Sequence, residues 1–259
     1  MSTFTNYTPR EIGAFRERLQ ETLKNCVHLQ EAAQACARRL YEEFAESLVL
    51  ARLFVTLPFE ALPARDKAFV AALADAKEIA LLLDDKTQVL SLLGTYGAVD
   101  SWNDRHQSQG HLGIPLVTAS FVESIPMVAR LMSDMGIGSD WFDKSGPDIL
   151  VKNLGRAAGV FYVRDARTRL DARQRKVVSA QDFVAAHDIR TVFGLGGSYL
   201  NGSFVTMILF TRETIEQSQV EAFMLLVNTF KTATLSLVMD GAIFPRTDHT
   251  LSLASKTTS

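Results

Sequence analysis

The first 44 residues carry an apolar pattern that is typical of one long helix. Thr8, Pro9 and Glu11 together form a capping box, which marks a helix start. Apolar positions then alternate at spacings of four and three, a heptad seam with one polar interruption: Leu19, Leu23, Cys26, Gln30, Ala33, Ala37, Leu40 and Phe44. A continuous helix here would be about 54 Å long, more than a compact domain needs. The extra length of the predicted helix favours packing against a partner chain. The alternative is one helix, or two with a break, on the domain's own core.

The middle of the chain alternates between short apolar runs and amphipathic segments. Ser120 and Glu123 repeat the capping-box pattern and start a predicted helix to about Met135, in which Pro126 introduces a kink. Polar composition predicts loops at 101–110 and 164–176, and a Gly/Asp/Ser-rich break at 136–147. The remaining segments are predicted as strands at 48–57, 88–94, 113–117 and 157–163, and as helices at 64–80 and 179–187.

The sharpest pattern is a predicted hairpin near the C-terminus. Two β-rich runs, 189–195 and 203–211, flank the pair Asn201-Gly202. Asn-Gly between apolar runs indicates a tight turn, because both residues tolerate positive φ. Thr214 and Gln217 then form a third capping box, which starts a broad-faced helix to about residue 240.

The C-terminal sequence and the order of elements resemble a GAF domain. That family typically shows a glycine, an apolar strand, a few polar residues and an amphipathic helix. Gly202, the strand 204–210, Thr211-Arg212 and the helix from Thr214 fit this order. The resemblance lies mainly over residues 201–238.

The resemblance implies an α+β fold with a central antiparallel sheet of about six strands. Helices on one face would hold a pocket, and long N- and C-terminal helices would pack together on the other. PAS domains share this layout and are the alternative. The expected divisions are an N-terminal helical segment 1–44, a GAF-like sensor domain 45–241 and a disordered tail 242–259. No tetrapyrrole-attachment cysteine or cyclic-nucleotide signature is found, so the resemblance assigns no cofactor.

The composition argues against several classes of protein, among them nucleic-acid-binding, membrane-spanning and disulfide-rich proteins. The chain has 259 residues, 47% of them hydrophobic, and 27 basic against 29 acidic side chains give a net charge of −2. This balance offers no electrostatic reason to bind nucleic acid or an acidic membrane surface. Neither a signal peptide nor an uncharged run of roughly 18 apolar residues is visible. Cys26 and Cys36 are too few for a disulfide framework. We therefore expect a cytoplasmic protein that binds neither nucleic acid nor membrane.

The loop at 101–110 and the residue after it hold the densest group of functional side chains. Trp102, Asp104, Arg105, His106 and His111 lie within ten positions. Arg with Trp suits an anionic or planar ligand, and loops on a rigid scaffold often carry binding groups. The alternative is a solvated loop with a half-buried Trp. A haem needs only one axial His, so haem stays open, whereas a zinc site needs further ligands.

The predicted middle helix carries a group of aromatic and Met residues, and their helical spacing predicts that they belong to the hydrophobic core. If the GAF-like layout holds, this helix also roofs the pocket, so Phe121 and Met127 join the predicted ligand-binding set. Tyr162, in the strand 157–163, completes that set. The group also includes Met132, Met135, Trp141 and Phe142.

These observations together predict a cytosolic ligand-sensing domain for signal transduction, which is not an enzyme. It would bind a small molecule and signal through a helical homodimer interface to an output domain or partner protein. Three alternatives remain: a structural dimerisation module without ligand, a haem- or metal-binding sensor, and a small enzyme that uses His106, Asp104 and Arg105.

Overall fold

A computed structural model describes residues 2–108, 110–137 and 157–246. Six antiparallel strands form one sheet in the order β3-β2-β1-β6-β5-β4. The strands are β1 (Leu48–Pro58), β2 (Gln88–Gly97), β3 (Gly113–Pro115), β4 (Ala158–Val163), β5 (Thr191–Ser198) and β6 (Phe204–Thr211). The sheet confirms the predicted α+β class, and every predicted strand is present with bounds shifted by a few residues.

Helices cover both faces of the sheet, as the GAF-like layout implies. They are α1 (Pro9–Leu23), α2 (Leu29–Glu43), α3 (Ala64–Ala76), α4 (Ala119–Ser124), α5 (Pro126–Asp134), α6 (Gln181–Ala186), α7 (Gln217–Ala222) and α8 (Met224–Met239). The apolar faces of α1, α2 and α8 form one hydrophobic cluster with one face of the sheet. On the opposite face, α4, α5 and α6 belong to a second cluster. The predicted six-stranded antiparallel sheet with helices on both faces is thus confirmed.

Strand β1 lies between β2 and β6 and is buried on both faces. Its apolar residues alternate between the two clusters, with Leu53 and Val55 on the side of α1, α2 and α8. Leu50 and Phe54 lie on the side of α4, α5 and α6. Because side chains in a strand alternate, Arg52 is directed to that second face. A charged residue therefore interrupts an otherwise apolar central strand.

The prediction of one long N-terminal helix was wrong, and the alternative of two helices packed on the protein's own core is confirmed. Two helices are separated by residues 24–28, and His28 caps the second one through its Nδ1, which accepts a hydrogen bond from the Glu31 N–H. The seam residues face the protein's own core, with Leu19, Leu23, Leu40 and Phe44 at most 1% exposed. The turn between the two amphipathic helices leaves the heptad spacing of apolar residues intact on both sides. The sequence pattern therefore resembles that of one continuous helix. The seam is therefore not a dimer surface.

Two capping boxes were assigned to the wrong residues. Thr118, not Ser120, caps α4, and Pro126 is the first residue of the separate helix α5. Glu216, not Thr214, caps α7, with Gln219 completing the box. Proline disrupts a helix interior but fits the first turn, so the predicted kink is a full break.

The C-terminal hairpin is confirmed, with Gly202 in the turn at a φ of 87°. The stretch Gln217–Met239 is long and apolar enough to cross a membrane by length and composition alone. A core helix passes the same test, and here Val227, Phe230 and Val238 are buried in the protein's core.

The start of the predicted disordered tail makes ordered contacts. The Leu29 N–H donates to the Ala242 carbonyl, and the Gln30 N–H donates to the Ile243 carbonyl, at 2.8 and 2.9 Å. These bonds satisfy two N–H groups in the first turn of α2 that have no partner within the helix. The prediction of disorder was wrong for residues 242–246, whereas 247–259, like Trp141 and Phe142, lie outside the described residues. The division at 44 and 241 stays a prediction.

Candidate functional site

A cavity of about 360 Å³ opens on the face of the sheet that carries α4, α5 and α6. Its floor is the central sheet, and its rim is the loop after β2 together with the segments that start α5 and α6. It is lined by Leu50, Arg52, Thr95, Ser101, Trp102, Asp104, Gln107, Ser108, His111, Ile125, Met127, Val178, Ser179, Ala180, Phe183 and Phe210.

Strand register places the floor residues side by side. Arg52 of β1 is paired with Thr95 of β2, and Leu50 is paired with Phe210 of β6. Directly paired residues in an antiparallel sheet share a face and have Cβ atoms about 5 Å apart. The floor is therefore one guanidinium and one hydroxyl beside an apolar pair.

Aromatic rings form one wall of the cavity. Trp102 and Phe183 have ring centroids 5.4 Å apart, and Phe183 lies 5.5 Å from Phe210. The imidazole of His187 lies 4.8 Å from the Trp102 ring and extends this cluster. A Cβ at Gly97 would lie 3.0 Å from Trp102 Cε3 and 2.6 Å from the Val49 carbonyl oxygen, so the glycine gives the ring its place against the sheet. Edge-to-face packing of this kind holds a wall rigidly.

Arg52 is a largely buried cation without a protein partner among the described residues. Its Nε is buried and forms no hydrogen bond there. Burial lowers the pKa of Arg52 to about 10, and no acidic group offsets that effect. The side chain therefore remains charged at neutral pH. Buried charges are normally paired, because leaving water without a partner is costly.

Two hydroxyl groups of the lining share this lack of partners. Thr95 Oγ1 and Ser108 Oγ are buried, and neither forms a hydrogen bond within the described part of the chain. Most buried polar atoms in proteins have a partner in the protein or in water. Ser91 Oγ and Thr206 Oγ1, which do not line the cavity, also lack one in the described chain, so it is the grouping of three such atoms at one cavity that favours a bound molecule. The cavity thus combines an apolar wall with a few unsatisfied polar atoms, which is typical of small-molecule sites.

The cavity brings together four of the eight predicted ligand-binding residues: Trp102, Asp104, His111 and Met127. The Asp104 carboxylate accepts a hydrogen bond from the His106 N–H at 2.9 Å, and this bond is the main cause of its lowered pKa. Its side chain is 49% exposed, which places the carboxylate at the mouth of the cavity and not on the floor.

Arg105 and His106 lie outside this cavity. The Arg105 guanidinium forms a buried ion pair with Asp66, and its Nε donates to the Leu92 carbonyl at 2.6 Å. Its Nη1 lies 2.9 Å from His106 Nε2. Burial, and then the charge of Arg105, lowers the pKa of His106. The Arg105 guanidinium therefore ties the loop to α3 and β2, and the predicted ligand-binding role of Arg105 stays a prediction.

Phe121 and Tyr162 also lie away from the cavity lining. Phe121 is 5% exposed and packs within the second hydrophobic cluster. The Tyr162 hydroxyl donates to the Ile215 carbonyl at 2.6 Å, and its ring packs against the cluster on the opposite face of the sheet. The described contacts of both residues are packing contacts outside the cavity, and their predicted contact with a ligand stays a prediction.

A second, more open groove of about 600 Å³ lies between the start of α2 and the outer side of the same loop. Cys26, Arg38, Tyr96, Arg105 and His106 are among its lining residues. No group of three or more His, Cys, Asp or Glu side chains within the described ranges is placed to hold a metal ion. His106 faces this groove while His111 lines the cavity, so the two imidazoles do not share a site.

Sequence analysis missed the most informative residues of the cavity. Arg52, Phe183 and Phe210 lie in predicted strands or a helix, Thr95 lies directly after the predicted strand 88–94, and none of the four was among the predicted site residues. One signal was available in the run 48–57, where Arg52 is the only charged residue in an otherwise apolar strand. A charge in the middle of such a strand indicates either a pairing partner or a ligand.

Three solved structures similar to this chain come from phytochromes. The phycocyanobilin-bound GAF domain of a cyanobacterial phytochrome is 10% identical, with a TM-score of 0.46 over 88% of this chain and 96% of that one. The chromophore-binding domain of an unusual bacteriophytochrome from R. palustris is 7% identical, with a TM-score of 0.43 over 89% and 63%. The photosensory core module of Stigmatella aurantiaca phytochrome is 8% identical, with a TM-score of 0.43 over 90% and 37%. The chain thus spans less than two thirds of the second and third structures. No protein-family model and no curated protein matches it.

Proposed function

We propose that this chain is a ligand-sensing domain that binds a small molecule in the cavity on the sheet. The single observation that supports this is the set of buried polar atoms in that cavity, on Arg52, Thr95 and Ser108, that find no partner among the described residues. A bound molecule would supply the partners and would fill the space beside the aromatic wall.

Binding would be transmitted through Gln34 of α2. Its side-chain amide donates to the carbonyls of Thr95 and Asn103 at 2.9 and 3.1 Å, and its Oε1 accepts from the Thr95 N–H at 3.1 Å. Thr95 lines the cavity floor, and Asn103 belongs to the loop at its rim. A ligand that favours one position of this loop would shift the arrangement of α2 by its differential affinity. The output would be the packing of the outer helices in a homodimer or against a partner protein.

Native mass spectrometry with an absorbance spectrum of the freshly purified protein tests the ligand. We expect an additional non-covalent mass in the wild type, and its loss in Thr95→Phe, because the larger ring grows from the floor into the cavity. Leu81→Phe is the matched control, since Leu81 is fully exposed and does not line the cavity. Circular dichroism verifies that both variants fold.

The same measurement separates the alternatives. A Soret-type band would identify haem and direct attention to His111. A bare mass for the wild type, with no cavity-dependent change in any variant, would contradict the proposal and favour the dimerisation module. The enzyme alternative would have to act at the second groove, which His106, Asp104 and Arg105 line, with the Arg105 guanidinium paired to Asp66. The cytoplasmic location and the absence of nucleic-acid, membrane or catalytic roles stay predictions.

A further inference from the structure

Resting on the proposed function, we propose that the cavity binds a small monocarboxylate with a flat apolar body, whose carboxylate pairs with the guanidinium of Arg52. The charge of the ligand would thus be recognised by the central strand of the sheet and not by the loop at 101–110. Four steps support it.

The first step is the position of the cation. Arg52 lies in the middle of β1, between β2 and β6, and its side chain borders the cavity. A strand with hydrogen-bonded neighbours on both sides holds its side chains more precisely than a loop does. The sheet therefore fixes the backbone of Arg52, and its guanidinium lies at the bottom of the cavity.

The second step is the arrangement of donors. A guanidinium is a planar fork that matches the two oxygens of a carboxylate. Thr95 is its direct neighbour across the β1–β2 pairing and offers a buried hydroxyl without a partner in the described chain. Ser108 offers a second hydroxyl from the loop. A carboxylate has room for these additional donors, because its two oxygens accept about four hydrogen bonds.

In the third step, the charge of the cavity lining favours a ligand with a single negative charge. Arg52 is the only Arg or Lys among the described lining residues, and Asp104 contributes a negative charge at the mouth. One buried cation balances one negative charge. A phosphate group, with a charge near −2 at neutral pH, would need a second cation or a cluster of backbone N–H groups.

The fourth step is the rest of the lining. Trp102, Phe183 and Phe210 present flat rings, and Leu50, Ile125 and Met127 present aliphatic surface. A flat apolar body gains burial and ring contacts there. The carboxylate would point to the floor and the apolar body to the aromatic wall.

The ligand-free protein gives the first test. A buried cation without a partner destabilises the fold, and an apolar residue of similar length removes that cost. We expect Arg52→Met to raise the Tm of the ligand-free protein by about 3 °C or more. Arg10→Met on the exposed side of α1 is the matched control and should leave the Tm within about 1 °C. A lower Tm for Arg52→Met would show that Arg52 serves the fold, and would overturn the inference.

Binding of matched probes gives the second test. Calorimetric titration would compare benzoate, phenylacetate and indole-3-acetate with their neutral amides. We expect at least one acid to bind the wild type about tenfold or more tightly than its amide. Arg52→Met should remove this difference while the amide binds as before. Arg52→Lys keeps the charge without the planar fork and should restore only part of the preference.

The outcomes distinguish the inference from the proposed function. Equal binding of acid and amide in the wild type, lost in Thr95→Phe, would keep the sensing cavity and reject the carboxylate. Tighter binding of phenyl phosphate than of every acid would reject the monocarboxylate in favour of a phosphate. No binding of any acid at millimolar concentration would also overturn the inference. The native mass of the purified protein tests the sensing function separately, because it does not depend on these probes.

Discussion

Arg105, which is buried, and Arg52, which is partly exposed with a buried Nε, have opposite surroundings. Arg105 is 4% exposed and paired with Asp66, which is 1% exposed, and it also donates to a backbone carbonyl. Arg52 has neither kind of partner in the described chain. The sequence pattern alone favoured Arg105 for the ligand because it lies in a polar loop with a tryptophan. The pattern could not show that the Arg105 guanidinium forms an ion pair with Asp66, which lies in helix α3, 39 positions earlier in the chain.

The pairing of Arg105 leads to a prediction about stability. Arg105→Met leaves the Asp66 carboxylate buried without its cation, so we expect the free energy of unfolding to fall by about 3–5 kcal/mol. Urea denaturation followed by circular dichroism measures the change. The double variant Asp66→Leu/Arg105→Met should regain most of the loss, because no uncompensated charge remains.

An exposed ion pair provides the control for that experiment. Arg167 and Asp188 form one with side chains 46% and 49% exposed. Arg167→Met should cost less than about 1 kcal/mol, because water screens an exposed pair. If Arg105→Met were as mild as Arg167→Met, the assignment of Arg105 to the fold would be wrong.

The strands were predictable from sequence and the helix boundaries were not. Short apolar runs such as 48–57 and 203–211 contain several β-branched or aromatic residues, which favour a buried strand, and the structure confirms both strands. The periodicity of the first 44 residues had two solutions, one long helix or two stacked ones, and local sequence does not distinguish them. The break is favoured because α2 packs directly on β2, a contact between segments far apart in the chain.

The packing of α2 on β2 depends on one glycine. A Cβ at Gly94 would lie 2.3 Å from the Ala33 carbonyl carbon and oxygen, which are backbone atoms that cannot rotate away. We expect Gly94→Ala to lower the free energy of unfolding by more than about 2 kcal/mol. Chemical denaturation measures the difference.

Gly13 provides a matched control in helix α1. A Cβ there would meet nothing within 4 Å. Alanine is a better helix former than glycine, so Gly13→Ala should stabilise the protein by about 0.5–1 kcal/mol. Equal effects of the two substitutions would contradict the close approach of α2 to the sheet.

At the scale of the whole molecule, the two faces of the sheet differ in packing. One face is filled by α1, α2 and α8, and the other holds the cavity. The division into a helical side and a pocket side was implied by the GAF resemblance. The location of the cavity floor was not, because it depends on which residues of β1, β2 and β6 are paired across the sheet.

The homodimer belongs to the proposed function and needs a new surface, since the heptad seam is buried. The outer side of α8 carries Leu225 and Met239, 45% and 56% exposed and about four helical turns apart on one face. We expect Leu225→Glu/Met239→Glu to convert the dimer to a monomer in light scattering without loss of helical content. Leu200→Glu, at the hairpin tip and 82% exposed, is the control and should leave the mass unchanged. A monomeric wild type would reject this part of the proposal.

The pairing of β1 with β6 also decides when the cavity comes into existence during synthesis. Leu50 and Phe210 are partners on the floor and are about 160 positions apart in the chain. At ribosomal rates of 5–20 residues per second, β1 waits roughly 8 to 30 s for its second neighbour. Until then one edge of the central strand is open to other chains, a state in which unpaired strands aggregate. The floor around Arg52 is thus among the last parts to be completed, and a nascent chain without β6 has no complete site for the ligand.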